Sequence, residues 1–357
     1  MTQSKQDRMT EKERWNALLN RQPIDRVPLY LEAFGFSMVN VGYPIVRAYD
    51  DPEKSFWGQV WTSEMYGTTP FVYYFGGAPG AREFGGEVKM PESEYDQSVS
   101  LLRPPVTSEE DIERLERNPP DVRDAGTVPW YMAFSKLQEK HGLPITVKVG
   151  GVITQVSFML GLERMGRWML KKPEWVHRAC RLMTNFLLDK IKYWVDTFGP
   201  ERLVGYNGTP VESNQILSPR QFQEFALPYQ KEIFEKAQAL GIKLFFSHIC
   251  GEQNLNLPHW ASFSHGDPGI ISIGDEIDIE KAGEYFPKDI ILGNVNTTTI
   301  QNGSPEEVYE TAKGCLEKGK RCSGGFILAP ACELPVHTPP YNVWTMRKAV
   351  KDFGWYD

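Results

Sequence analysis

Apolar positions along this chain fall into two alternating rhythms. Eight short runs rich in β-branched, aromatic and aliphatic residues read as strands: 27–31, 69–75, 145–149, 202–207, 245–249, 269–273, 289–294 and 325–329. Longer stretches between them carry apolar residues three and four apart. Thr10 with Glu13 three positions on, then Trp15, Leu18 and Leu19, predicts a capped amphipathic helix. Pro173 opens a helical pattern reaching Phe198, Ser218 one reaching Leu240, and Ser304 with Pro305 another; a further pattern runs from about Val156 through Trp168. Residues 33–68 are expected to form loop and helix over a barrel mouth. Residues 83–129 are expected to form a charged, Pro-rich excursion with short strands and one helix over 108–117. Strands alternating with long helices pair in parallel through right-handed crossovers, and eight suffice to close a barrel. The expected fold is α/β, a (β/α)8 TIM-like barrel with an elaborated amino-terminal region, forming one domain over residues 1–357.

The fifth run carries chemistry. Phe245-Phe246-Ser247-His248-Ile249-Cys250-Gly251 ends in a His and a Cys two positions apart, followed by a Gly turn. Residues i and i+2 of an extended chain project to one side, so His248 and Cys250 can share a metal. The eighth run breaks at Pro330 and delivers Cys332 two residues later. If both runs end at the carboxyl edge of one parallel sheet, where barrel enzymes keep their chemistry, the three side chains converge. Two thiolates and an imidazole make three corners of a zinc tetrahedron and leave the fourth for substrate or water. The same residues also suit a buried core, with Cys250 and Cys332 as small apolar groups and His248 as a hydrogen-bonded core histidine.

Composition narrows the setting. A net charge of −7 and a pI near 5.6 leave no basic footprint for a phosphate backbone, so nucleic acid is not an expected partner. Five cysteines, an odd number without close spacings, fit a reducing cytoplasm. The polar start is not expected to be a signal peptide, and no apolar run is long enough to span a bilayer, so no membrane association is expected.

Beyond these patterns, Thr10-Glu11-Lys12-Glu13-Arg14 with Asp25-Arg26-Val27-Pro28, Leu217-Ser218-Pro219 with Phe225-Ala226-Leu227-Pro228-Tyr229, and Gly293-Asn294-Val295-Asn296 resemble motifs of the uroporphyrinogen decarboxylase superfamily. His248-Ile249-Cys250-Gly251 and Cys332-Glu333-Leu334-Pro335 are similar to the zinc motifs of its corrinoid methyltransferase branch, the methylcobamide:coenzyme M methyltransferases and corrinoid O-demethylases. Decarboxylases of the family carry an Arg-Gln-Ala-Gly-Arg-Tyr run after the first strand. Here that place reads Leu31-Glu32-Ala33-Phe34-Gly35-Phe36, without arginine.

The resemblance implies a distorted barrel, Zn²⁺ on His248, Cys250 and Cys332, and methyl transfer between a small-molecule donor or acceptor and cobalamin supplied by a separate corrinoid protein. No Asp-x-His-x-x-Gly cobalamin signature occurs in the chain. A tetrapyrrole decarboxylase is the alternative activity, and a binding protein without turnover the non-enzymatic one. Asn207, Glu212 and Glu333 are candidate catalytic groups; Tyr73, Asn294 and Asn296 are candidate substrate contacts, Asp275 is expected at the same mouth, and His337, a few residues past Cys332, suits either an acid group or a surface histidine. Trp57, Trp61, Tyr74, Trp130 and Tyr131 suit either an aromatic pocket or plain packing. Cys180, Cys315 and Cys322 read as structural.

Overall fold

The computed structural model describes residues 6–356 apart from positions 70, 94, 95 and 97. Six parallel strands in sequential order form the main sheet: β3 (Ile145–Lys148), β4 (Leu203–Gly208), β5 (Leu244–Ile249), β6 (Ile270–Ile273), β7 (Ile290–Val295) and β8 (Phe326–Pro330). An antiparallel ribbon, β1 (Glu87–Lys89) with β2 (Ser100–Arg103), and the helix Glu109–Arg117 occupy the expected excursion. Helices follow each barrel strand on the outside. Pro173–Phe198 forms as expected, and capping boxes start the helices after Thr10, Ser218 and Ser304. The pattern around Val156 divides into Val152–Leu160 and Leu162–Lys171 at Gly161.

The first two expected strands do not join the ladder as strands. Residues 27–31 run extended beside β8 through one parallel bridge, Leu29 with Leu328, and two flanking hydrogen bonds. Of the second, Pro70 lies outside the described residues, and residues 71–75 form no strand ladder. Side-chain amides take over there. Gln59 donates to the Tyr73 carbonyl and accepts from the Tyr73 amide, each at 3.0 Å. Gln138 donates to the Val72 carbonyl at 2.8 Å and accepts from the amide of Thr146 in β3. Buried backbone groups must find hydrogen-bond partners, and here glutamines borrowed from helices supply them. The barrel is accordingly closed but distorted.

Strand parity sorts the residues of the sheet. Phe246, Tyr206, Tyr30 and Phe71 meet in the interior, with Phe71 stacked on Phe246 at 5.2 Å and Tyr206 stacked on Phe246 at 5.5 Å. This aromatic floor excludes water from the barrel's lower part, each ring contributing roughly 1.5–3 kcal/mol by burial. The alternate residues face the helices. Phe245 stacks on Phe234 of the helix Leu227–Ala239, and Ser247 reaches His265. His248 shares the parity of Phe246, so it stands directly above the floor.

Candidate metal centre

The candidate ligand atoms of His248, Cys250 and Cys332 all lie within 4.8 Å of one another. β5 delivers the first two, and Gly251 turns the chain immediately after them at φ +73°, where a Cβ would come within 3.1 Å of Gln215 and Ser213. β8 ends at Pro330, and the amide of Ala331 still bonds to the Val295 carbonyl, which fixes where Cys332 begins its loop. In a tetrahedral zinc centre, with metal–nitrogen and metal–sulfur bonds of about 2.0 and 2.3 Å, nitrogen and sulfur stand about 3.5 Å apart. Nε2 of His248 and Sγ of Cys332 are 3.6 Å apart. The donor set and its spacing fit the ion.

The imidazole is held from behind. His248 and Ser272 face each other in the β5–β6 register, and Nδ1 lies 2.8 Å from Ser272 Oγ. Glu32 Oε2 stands 3.4 Å from the same nitrogen and has no hydrogen bond of its own, while Glu32 Oε1 accepts from the Tyr206 hydroxyl at 2.8 Å. A proton kept on Nδ1 leaves the Nε2 lone pair for a metal, the arrangement that oxygens accepting from the far ring nitrogen enforce around ligating histidines. Burial pulls the His248 pKa down, but the Glu32 carboxylate and Cys332 outweigh it and raise it to about 9. The Cys250 thiol, hydrogen-bonded to Cys332 and buried, is pushed well up. Cys332 is held well below its ordinary value by the hydrogen bond from Cys250 and by His248, against burial.

Above the ligands lies a cavity of about 160 Å³ walled by Phe34, Phe75, Phe158 and Tyr206 on the apolar side and by Lys148, Glu32 and Glu333 on the polar side. Burial, opposed by the Gly35 amide and reinforced by the charges of Cys332 and Glu32, raises the Glu333 carboxyl to about 8. It is protonated at neutral pH. Larger hollows exist, but two lie among helix residues, around Thr298 and Thr311 and around Tyr309 and Tyr341, and two open among Leu18, Arg21 and Ser323 or among Trp15, Pro144 and Leu203, near the amino ends of the strands. Barrel chemistry belongs to the other end.

The profile of the uroporphyrinogen decarboxylase (URO-D) family matches residues 10–353. The chain belongs to the uroporphyrinogen decarboxylase family. Within it, a methylcobamide:CoM methyltransferase from Methanosarcina acetivorans is 26% identical over 350 residues, covering 96% of this chain and 98% of the relative. A methylated-thiol–coenzyme M methyltransferase from Methanosarcina mazei is 26% identical over 262 residues, covering 70% of this chain and 65% of the relative. A solved methyltransferase structure from Methanosarcina mazei superposes with a TM-score of 0.76 at 23% identity, covering 97% and 99% of the two chains. The fold is thus the family's TIM-like barrel.

This URO-D barrel places the remaining candidates unevenly. Glu333 lines the cavity; Asn207, Asn294, Asn296 and Tyr73 do not. Asn207 has the parity opposite to Tyr206 and Gly208, so it faces the helices, crowded against Gly150 beside Gln230. Glu212 is buried, accepting from the amides of Ile153 and Thr154 and from the Thr154 hydroxyl, where it caps the helix Val152–Leu160. Asn294 donates to the carbonyls of Gly274 and Ile277, and Asn296 caps the helix Thr297–Asn302 while donating to Asp275.

Tyr73 lies one ring behind the wall, stacked at 3.8 Å on Tyr206. Trp57 and Trp61 stack on each other along the helix Pro52–Tyr66, Tyr74 and Tyr131 hydrogen-bond to backbone, and Trp130 lies against Arg82. His337 is exposed. Cys180, Cys315 and Cys322 are free thiols that contact oxygen atoms of Phe225, Asn294 and Ile279. Sequence reasoning missed Glu32, Lys148, Tyr206 and Ser272. A charged or polar side chain inside a run that otherwise reads as buried strand was the available signal.

Proposed function

We propose that the chain is a zinc-dependent methyltransferase that moves a methyl group between a small substrate, either a methyl ether such as an aryl methyl ether or a thiol, and the cobalamin of a separate corrinoid protein. The supporting observation is the convergence of His248 Nε2 with two cysteine sulfurs beneath a small aromatic-walled cavity. His248, Cys250 and Cys332 would hold the ion, and zinc bound there supplies Lewis acidity that acidifies a thiol or stabilises an oxygen leaving group, tempered by its thiolate donors.

The chain's own residues do the rest. Ser272 and Glu32 orient the imidazole. Phe34, Phe75 and Phe158 keep water from the reacting end and pack the apolar part of the substrate. Glu333, protonated at neutral pH, is placed to give a proton to a departing oxygen or, once ionised, to take one from an incoming thiol. The cavity falls below the roughly 300–1,000 Å³ that drug-sized ligands occupy. A corrin exceeds that size, which supports delivery by a partner protein across the mouth. The same limit, with the arginine-free run at 31–36, disfavours a tetrapyrrole substrate.

The test incubates zinc-loaded protein with cob(I)alamin and a panel of methyl ethers, following cobalt absorbance for methylcobalamin, and then runs the reverse reaction with thiols. Transfer that disappears in Cys332→Ala is expected. A metal-free protein with full transfer activity, or zinc-loaded protein inert toward every donor and acceptor, overturns the proposal.

A further inference from the structure

Lys148 ends β3 with 6% of its surface exposed, and it lines the cavity above the metal ligands. Among the described residues its Nζ makes no hydrogen bond and no ion pair. It lies over the face of Tyr206, 5.3 Å from the ring centroid. The carboxylates that share its surroundings are turned elsewhere: Glu212 to the helix end at Thr154, and Glu32 to the Tyr206 hydroxyl and His248. Burying an ammonium without a direct counter-ion is costly, and Glu32 and Glu212 offset this only at longer range. Three N–H donors on a side chain at the cavity wall are left to be completed. Burial, opposed by Glu212, Cys250 and Glu32, lowers the pKa to about 8, which still leaves the charged form dominant at neutral pH.

Lys148 faces Tyr206, and Gly208 faces His248, so the backbones that carry the ammonium and the metal ligands stand two strands apart, about 10 Å laterally. The Lys148 side chain leans across β4 toward the ligands, since a Cβ at Gly208 would sit in ordinary contact with Nζ, 3.5 Å away. The other walls are Phe34, Phe75 and Phe158. A volume of about 160 Å³ suits a molecule the size of one benzene ring.

We propose that Lys148 is a specificity-determining residue that receives an anionic group, a carboxylate or sulfonate, at the end of the substrate remote from the methyl-bearing heteroatom. The inference rests on the methyltransferase reading for which end of the substrate reacts, but the ammonium selects the ligand whether or not methyl transfer follows.

Calorimetric binding to the zinc-loaded protein separates the two. The probes are 3-methoxybenzoate against 3-methoxybenzamide, and 2-mercaptoethanesulfonate against 2-mercaptoethanol. The wild type is expected to bind the anion of at least one pair about tenfold or more tightly than its neutral match, the scale of a charge-assisted hydrogen bond. Lys148→Met is expected to erase that preference by lowering the anion's affinity more than the neutral probe's, and Lys148→Arg to restore part of it. Equal affinity within both pairs, a preference that survives Lys148→Met, or no binding of either anion at millimolar concentration overturns the inference. Anion preference without methyl transfer to cobalamin would sink the proposed activity and leave the anion site standing; methyl transfer without anion preference would do the reverse.

Discussion

Sγ of Cys332 lies 3.6 Å from Nε2 of His248, although 84 positions separate the two residues. That separation matches the edge of a zinc tetrahedron, as the proposed metal site requires. Purified protein is expected to carry about one zinc per chain, and Cys332→Ser or His248→Ala to retain less than about a tenth of it, with methyl transfer down at least about a hundredfold. Elemental analysis of the three proteins decides the matter; full zinc in both variants would place the metal elsewhere.

Ser272 and Glu32 touch the imidazole and are not ligands. Ser272→Ala and Glu32→Gln are expected to weaken zinc binding by roughly 10–100-fold without changing its stoichiometry at saturation. Competition with a chromophoric chelator measures this directly. Unchanged affinity in both variants would mean that the backs of the ligands are not held.

Glu212 caps the helix Val152–Leu160 and leaves no oxygen for the cavity. Glu212→Ala is therefore expected to lower stability by about 1–3 kcal/mol in denaturant titration while zinc content stays at its wild-type value. Loss of metal with little loss of stability would return this residue to the site.

His265 supplies a pH dependence outside the metal centre. Its Nδ1 lies 2.8 Å from Ser247 Oγ and its Nε2 2.9 Å from the Trp260 carbonyl, so the ring is neutral, with the proton on Nε2. Burial lowers its pKa to about 4, against the slight opposing effect of that carbonyl. The unfolded chain then binds the proton first as pH falls. Stability from this group is full above about pH 6.5 and is lost on acidification between about 6.5 and 4, by on the order of 3 kcal/mol. Thermal unfolding across that window should show the loss in the wild type and a smaller one in His265→Asn; parallel curves would count against it.

Gly151 opens the helix Val152–Leu160 at φ +68°, and a Cβ there would lie 2.3 Å from the Gly208 carbonyl oxygen. Gly151→Ala is expected to cost at least about 2 kcal/mol. Because Gly208 also borders the cavity, the variant's ligand affinity should fall along with its melting temperature.

Much of the barrel was legible because each strand from β3 to β8 repeats a local pattern, an apolar run stopped by Gly, Pro or Asn. The places at 27–31 and 71–75 were legible as extended chain but not as unladdered chain. Residues 27–31 make one bridge to β8, and the pairing of 71–75 depends on Gln59 and Gln138, whose side-chain amides reach it only after helix docking. The asparagines illustrate the same limit. Asn207 looked like a mouth residue by position, yet one step of strand alternation turns it outward.

His248 and Cys250 could be paired from the chain alone because alternation in an extended segment is a property of three consecutive residues. Nothing that local brings Cys332, Glu32 or Lys148 to the same point. Their meeting follows from the curvature and registers of the sheet, which accumulate over the whole barrel, and from burial, which decides whether a lysine or a glutamate is a solvated surface group or an unscreened charge facing a ligand. Amino-acid order therefore determined the donor types and the strand ends that carry them; closure of the barrel decided their partners, their protonation and the shape of what they can bind.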